Sequence, residues 1–141
     1  MYEPTIDPVK LDAWARLLVT HSIGGVTPED RVMIKGERIA WPLMERIERE
    51  VIAAGGIPDV CLVPPNNERG KVWSAAMGRG ASEEQLARVP GWHRERYASM
   101  TKYVEVLGAE SPESYAGLAR EAAAALAKAD RPFADMRLSK R

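Results

Sequence analysis

Cysteine occurs once, at position 61, so no intrachain disulfide can form, and a reducing, cytoplasmic setting is the expectation. Phenylalanine also occurs once and histidine only twice. Neither sign of charge is in excess, because twenty Lys and Arg balance twenty Asp and Glu. The chain thus lacks the basic surplus of a protein built around nucleic acid, and it has no bulk attraction for an anionic membrane. No apolar run approaches the roughly 18 residues that a membrane span requires. Met1 to Pro8 carry Glu3 and Asp7 and lack the basic and apolar regions of a secretory leader. Neither nucleic acid nor membrane is expected as a partner. What is present, 45% hydrophobic and 28% charged residues in a chain of 141, is the composition of one globular domain.

Chemical motifs are equally sparse. The soft metal ligands His21, His93 and Cys61 stand singly, without His-x-x-x-His or Cys-x-x-Cys spacing. Gly78-Arg79-Gly80 offers two glycines of a dinucleotide fingerprint, but Glu83 occupies the place of the third, and a helix-interrupting turn explains the pair better. No serine sits in a nucleophile elbow; Ser22, Ser82 and Ser111 read as helix-end residues. Basic residues Arg88, His93, Arg94, Arg96 and Lys102 interleave with Trp92, Tyr97 and Tyr103. Glu95 and Glu105 interrupt them, which suits a solvated helix face with packing aromatics better than a nucleic-acid surface. Trp14, Trp41, Trp73 and Trp92 are large anchors for either a core or an interface.

The periodicity is more informative. Asp7 and Pro8 start a helix whose Leu11, Trp14, Ala15 and Leu18 form one stripe to about Ser22. A short strand follows at 31–35, and Gly36-Glu37 open a loop. A helix from Pro42 to about Ala54 carries Leu43, Met44, Ile47 and Val51 on one face. The strand at 59–63 is nearly all apolar, as if buried on both faces of a parallel sheet. Residues 71–100 read as broken helices, with Ser82 and Gln85 forming a capping box. A third strand is predicted near 102–107, Ser111-Pro112 starts another helical segment, and an alanine-rich helix runs to Asp130 with Pro132 ending it. The resulting fold class is α/β. It has three layers, with a small parallel sheet, strands near 31–35, 59–63 and 102–107, the first in the middle, and helices on both faces.

Several segments, in their order and spacing, carry a resemblance. Val26-Thr27-Pro28-Glu29-Asp30-Arg31-Val32-Met33-Ile34-Lys35-Gly36, Glu50-Val51-Ile52-Ala53-Ala54-Gly55-Gly56-Ile57-Pro58, Ser82-Glu83-Glu84-Gln85-Leu86 and Tyr103 to Glu113 resemble the N-terminal domain of the aminopeptidase T and aminopeptidase S family of metallopeptidases. So does Ala129-Asp130-Arg131-Pro132 with the basic tail. The resemblance implies one α/β domain over 1–141, belonging to a longer enzyme that releases N-terminal amino acids from peptides. It also implies divalent metal ions, such as zinc or cobalt, held by a C-terminal catalytic domain. No catalytic or metal-ligating residue can be carried onto this chain, and no cofactor is expected on this segment itself. The partners implied are that C-terminal domain, a second copy in a homodimer, and a peptide. A stand-alone binding or scaffold module, and the N-terminal part of a related hydrolase or ring-cleaving enzyme, stay open as alternatives.

Two site expectations follow. In open α/β sheets ligands approach the carboxyl edge, so Glu37 and Arg38, just after the first strand, are candidates for facing a cleft, against the reading of an ordinary solvated loop. Phe133, Met136 and Leu138, in a tail without an evident closing element, are candidates for an interface.

Overall fold

The computed structural model describes residues 6–67, 70–107 and 113–139. Helix α1 spans Pro8–Leu17, with the Asp7 carboxylate accepting the Val9 amide at 3.0 Å, and a π-helical turn, Leu18–Ser22, extends it. Strand β1, Arg31–Glu37, leads through a 3-10 turn, Arg38–Ala40, into α2, Trp41–Ala53. Strand β2 is Ile57–Val63. Three short helices follow: α3, Ala75–Gly80; α4, Glu83–Ala87; and α5, Gly91–Ser99. The expected Ser82–Gln85 box caps α4 in both directions, at 3.2 and 2.8 Å. Strand β3, Lys102–Val106, and the 20-residue helix α6, Arg120–Ser139, complete the order.

The three strands are parallel, in the order β2-β1-β3, with Val32 opposite both Pro58 and Lys102. The expectation of a parallel α/β sheet with the first strand central is met. Alternation along β1 then divides the core. Val32 and Ile34 join Ala15, Val19, Met44, Ile47 and Val51 of α1, its extension and α2 on one face. Met33 joins Tyr97 and Met100 at α5, Tyr103 on β3 and Phe133 of α6 on the other.

Four details differ from the sequence reading. First, β1 continues two residues past Lys35, through Gly36 and Glu37. A Cβ at Gly36 would lie 2.8 Å from Met44 Sδ and 3.0 Å from the Val106 carbonyl oxygen, so the glycine is there to let β3 and α2 close in. Second, β2 begins at Ile57, two residues before the expected 59–63, and β1 rather than β2 is the strand buried on both faces, because β2 is at the edge, with Ile57 and Leu62 more than half exposed. Third, β3 ends at Val106 and leaves Leu107 outside the strand.

Fourth, α6 runs through Pro132 to Ser139, so the chain does have a closing helix. Proline inside a helix costs about 3 kcal/mol. Phe133, fully buried, returns roughly 2–3 kcal/mol of apolar burial. Asp130 and Arg137, one on each side of the proline, add an ion pair at 3.0 Å. Together these offset the break. The helical start at Ser111-Pro112 lies outside the described residues.

Candidate functional site at the carboxyl edge of the sheet

The chain leaves β1 toward β2 and returns to the opposite side of β1 as β3. The boundary between β1 and β3 is therefore where strand order reverses, the place at which open α/β sheets form a ligand crevice outside their carboxyl ends. Glu37 is the last residue of β1 and is 4% exposed, so it belongs to the sheet and not to a solvated loop. Arg38 follows it on the 3-10 turn and is exposed; both side chains are engaged by neighbours. Beyond them Ile39 and Trp41 after β1, and Leu107 after β3, stay exposed, an apolar rim on the two neighbouring strand ends.

Beneath this edge lies a polar cluster that no linear pattern announced. Met33, Lys35 and Glu37 alternate onto the α5–α6 face of β1. Lys35 is 1% exposed, and its ammonium donates to the Gly70 carbonyl at 2.6 Å and to the Tyr97 hydroxyl at 2.9 Å. Arg137 from α6 reaches the same hydroxyl at 3.4 Å and the Asp130 carboxylate at 3.0 Å, while Asp130 also accepts the Val72 amide at 3.1 Å. Five segments are thereby tied at one point: β1, the turn at Gly70, the bend at Val72, α5 and α6. Burial works against charge on Arg137, but Asp130 and the Tyr97 hydroxyl outweigh it and hold the guanidinium firmly protonated. Burial, with the Glu105 charge, pushes the Tyr103 phenol well above its ordinary value. Asp130 also borders an open groove of about 400 Å³ along α6, floored by Leu118 and Leu126.

The candidate metal ligands do not converge. His21 is exposed at the end of the α1 extension, Cys61 is half-buried on β2, and His93 packs against the rings of Tyr97 and Phe133. Among the described residues no three His, Cys, Asp or Glu side chains are grouped to hold a metal ion, so these residues do not fit a metal centre. No helix among them is long and apolar enough to cross a membrane.

The basic-aromatic stretch is dispersed by its neighbours. Arg88 pairs with Glu84 at 2.6 Å, Arg96 grips both oxygens of Asp59 at 2.7 Å, and Lys102 donates to the Ile23 carbonyl at 2.8 Å. Asp59 holds Arg96 even more firmly protonated than usual. Tyr97 and Tyr103 are core residues. Of the tryptophans, Trp14, Trp41 and Trp92 are exposed, and Trp73 is half-buried with its indole N–H on the Leu86 carbonyl at 2.8 Å. Of the expected interface residues, Phe133 is buried in this chain's own core, which removes it from any outer surface. Met136 packs partly against that core, and Leu138 stands exposed.

Residues 8–141 match the sequence profile described as Thermophilic metalloprotease (M29). No curated protein matches the chain.

Proposed function

Because the chain belongs to the thermophilic metalloprotease family, we propose that it acts as the non-catalytic N-terminal domain of a metal-dependent aminopeptidase, with its carboxyl edge as one wall of the peptide cleft. The observation that carries this reading is the rim at the β1–β3 reversal. Ile39, Trp41 and Leu107 are exposed there beside exposed Arg38, a mixed apolar and charged edge suited to an extended peptide, while Glu37 is buried at the end of β1. The divalent ions, zinc or cobalt, belong in this reading to a C-terminal catalytic domain, since hydrolysis needs about three protein ligands around an ion with an open position. A homodimer and a cytoplasmic location are part of the same proposal, supported by exposed Trp14, Leu17, Trp92 and Leu138 and by the free thiol of Cys61.

The test is hydrolysis of an aminoacyl nitroanilide by the purified chain with zinc, cobalt or manganese ions. The expected result is no release above the metal-only control. Metal-restored, chelator-sensitive hydrolysis by these 141 residues alone would overturn the division of labour. Light scattering on the same sample addresses the dimer, and a strict monomer at high concentration counts against it.

A further inference from the structure

His93 occupies an unusual position at the seam between α5 and α6. Its ring lies 4.5 Å from Phe133, edge-on, 5.1 Å from Tyr97 and 5.8 Å from Trp92. Its Nε2 is buried and has no hydrogen-bond partner among the described residues. In the neutral form one ring nitrogen carries no proton, so the seam tolerates the ring with Nε2 unpaired. The imidazolium must carry a proton on both nitrogens, and a buried N–H without an acceptor is costly.

The charges around the ring make that cost larger. Lys35 faces it from β1, Arg96 from its own helix and Arg137 from α6. Asp130 of α6 is the one group among these that favours a protonated ring, and its carboxylate is already bound to Arg137 and the Val72 amide.

We propose that His93 is an acid-responsive latch: its neutral ring seals α6 onto the sheet, and taking up a proton loosens the C-terminal half of α6 while the α1–α2 layer stays in place. The release would free Arg137 from Tyr97 and open the Lys35 cluster beneath the carboxyl edge. The inference is independent of any peptidase role, since it concerns only how this fold responds to protons.

The sign supports the direction. Burial first, then the Lys35 charge, lowers the proton affinity of folded His93 below the ordinary histidine value of about 6.5. The unfolded chain therefore binds the proton first. The stability that neutral His93 contributes is fully present above the unfolded value and is lost as pH falls through the lower folded value. Each pKa unit of depression corresponds to about a tenfold change in the opening equilibrium.

The experiment is amide hydrogen exchange on the full chain at about pH 7.5 and pH 5, corrected for the intrinsic pH dependence of exchange, in wild type, His93→Gln and His93→Phe. In wild type, protection over residues 130–139 should drop several-fold on acidification while residues 41–53 hold theirs. Both variants should hold 130–139 constant between the two pH values. An equal loss in the variants, or no selective loss in wild type, overturns the latch. Should both variants fail to fold, nitrogen-15 NMR of the wild-type imidazole decides: a His93 midpoint at or above the ordinary histidine value of about 6.5 also overturns it.

Discussion

The Lys35 ammonium and the Tyr97 hydroxyl meet 2.9 Å apart in the interior, although 62 residues separate them in sequence. The contact joins the central strand to a helix on one face, and the Gly70 carbonyl completes it. A cation with 1% of its surface exposed is held here because these acceptors, with the Tyr97 ring 5.6 Å from its Nζ, replace the water it has lost.

Substitution of Lys35 should separate packing from polarity. Lys35→Ala leaves the Gly70 carbonyl and Tyr97 hydroxyl without their shared donor and opens a cavity, for an expected loss of about 3–4 kcal/mol. Lys35→Met keeps the stem's volume and removes the buried charge, so its loss should be smaller by about 2 kcal/mol. Urea unfolding of both variants checks the difference. Equal losses would mean that the ammonium's hydrogen bonds, not the packing of its stem, dominate.

Gly70 supplies a second check on the same point. Its φ of +57° favours glycine, and a Cβ there would run into Lys35 Cε, 2.8 Å from its Nζ and 2.9 Å from Val63 Cγ2. Lys35 cannot swing away without giving up both acceptors. Gly70→Ala should therefore destabilise by about 2–4 kcal/mol. In the Lys35→Ala background the same change should cost roughly half as much, and a thermal-melt double-mutant cycle reads the coupling.

How much of this was legible in the sequence depends on whether the signal was local. The helix at α2, the box at Ser82 and Gln85, and the strand segments follow from periodicity and turn residues within windows of a few residues, while the parallel pairing of β1 and β2 follows from the glycine-marked strand-helix-strand joints between them. Lys35 reads as the charged end of a strand, since nothing near it in sequence predicts Tyr97 or Gly70 as acceptors. Gly36 reads as a loop for the same reason: the atoms that require a glycine belong to Met44 and Val106. Pro132 reads as a stop because local rules see the missing N–H, and the burial of Phe133 that outweighs it depends on β1 and α5. At the candidate site, Glu37 and Arg38 were reachable by the rule of strand ends, whereas Asp130 and Arg137 were hidden on a helix that seemed to end between them.

Acid should act on a different part of the fold through Asp30. Its carboxylate accepts the Thr27 amide at 2.9 Å and the Thr101 hydroxyl at 2.8 Å, stitching the turn before β1 to the start of β3. The Thr27 amide above all, helped by Thr101 and Lys102, holds its pKa below the ordinary 3.8. The linked stability is present above the unfolded value and is lost as pH falls through the lower folded value, well below the histidine window. Asp30→Asn should lose about 1–2 kcal/mol near pH 6. That gap from wild type should shrink as pH falls below the ordinary carboxylate value of 3.8 in urea titrations at each pH. A gap that stays constant on acidification would show that the ionised carboxylate contributes nothing.

The central place of β1 also bears on the order in which the chain assembles. Arg31 meets Ile57 across 26 positions, whereas Val32 meets Lys102 across 70. Bringing the second pair together costs about 0.9 kcal/mol more loop-closure entropy than the first. Strand β1, α2 and β2 can thus gather early around Met44, Ile47 and Val51, which come from nearby sequence. The other face must wait for β3, α5 and α6 to arrive, so the ammonium of Lys35 remains hydrated until the last of them docks and then loses its water late, when Tyr97 and Gly70 are at hand to replace it.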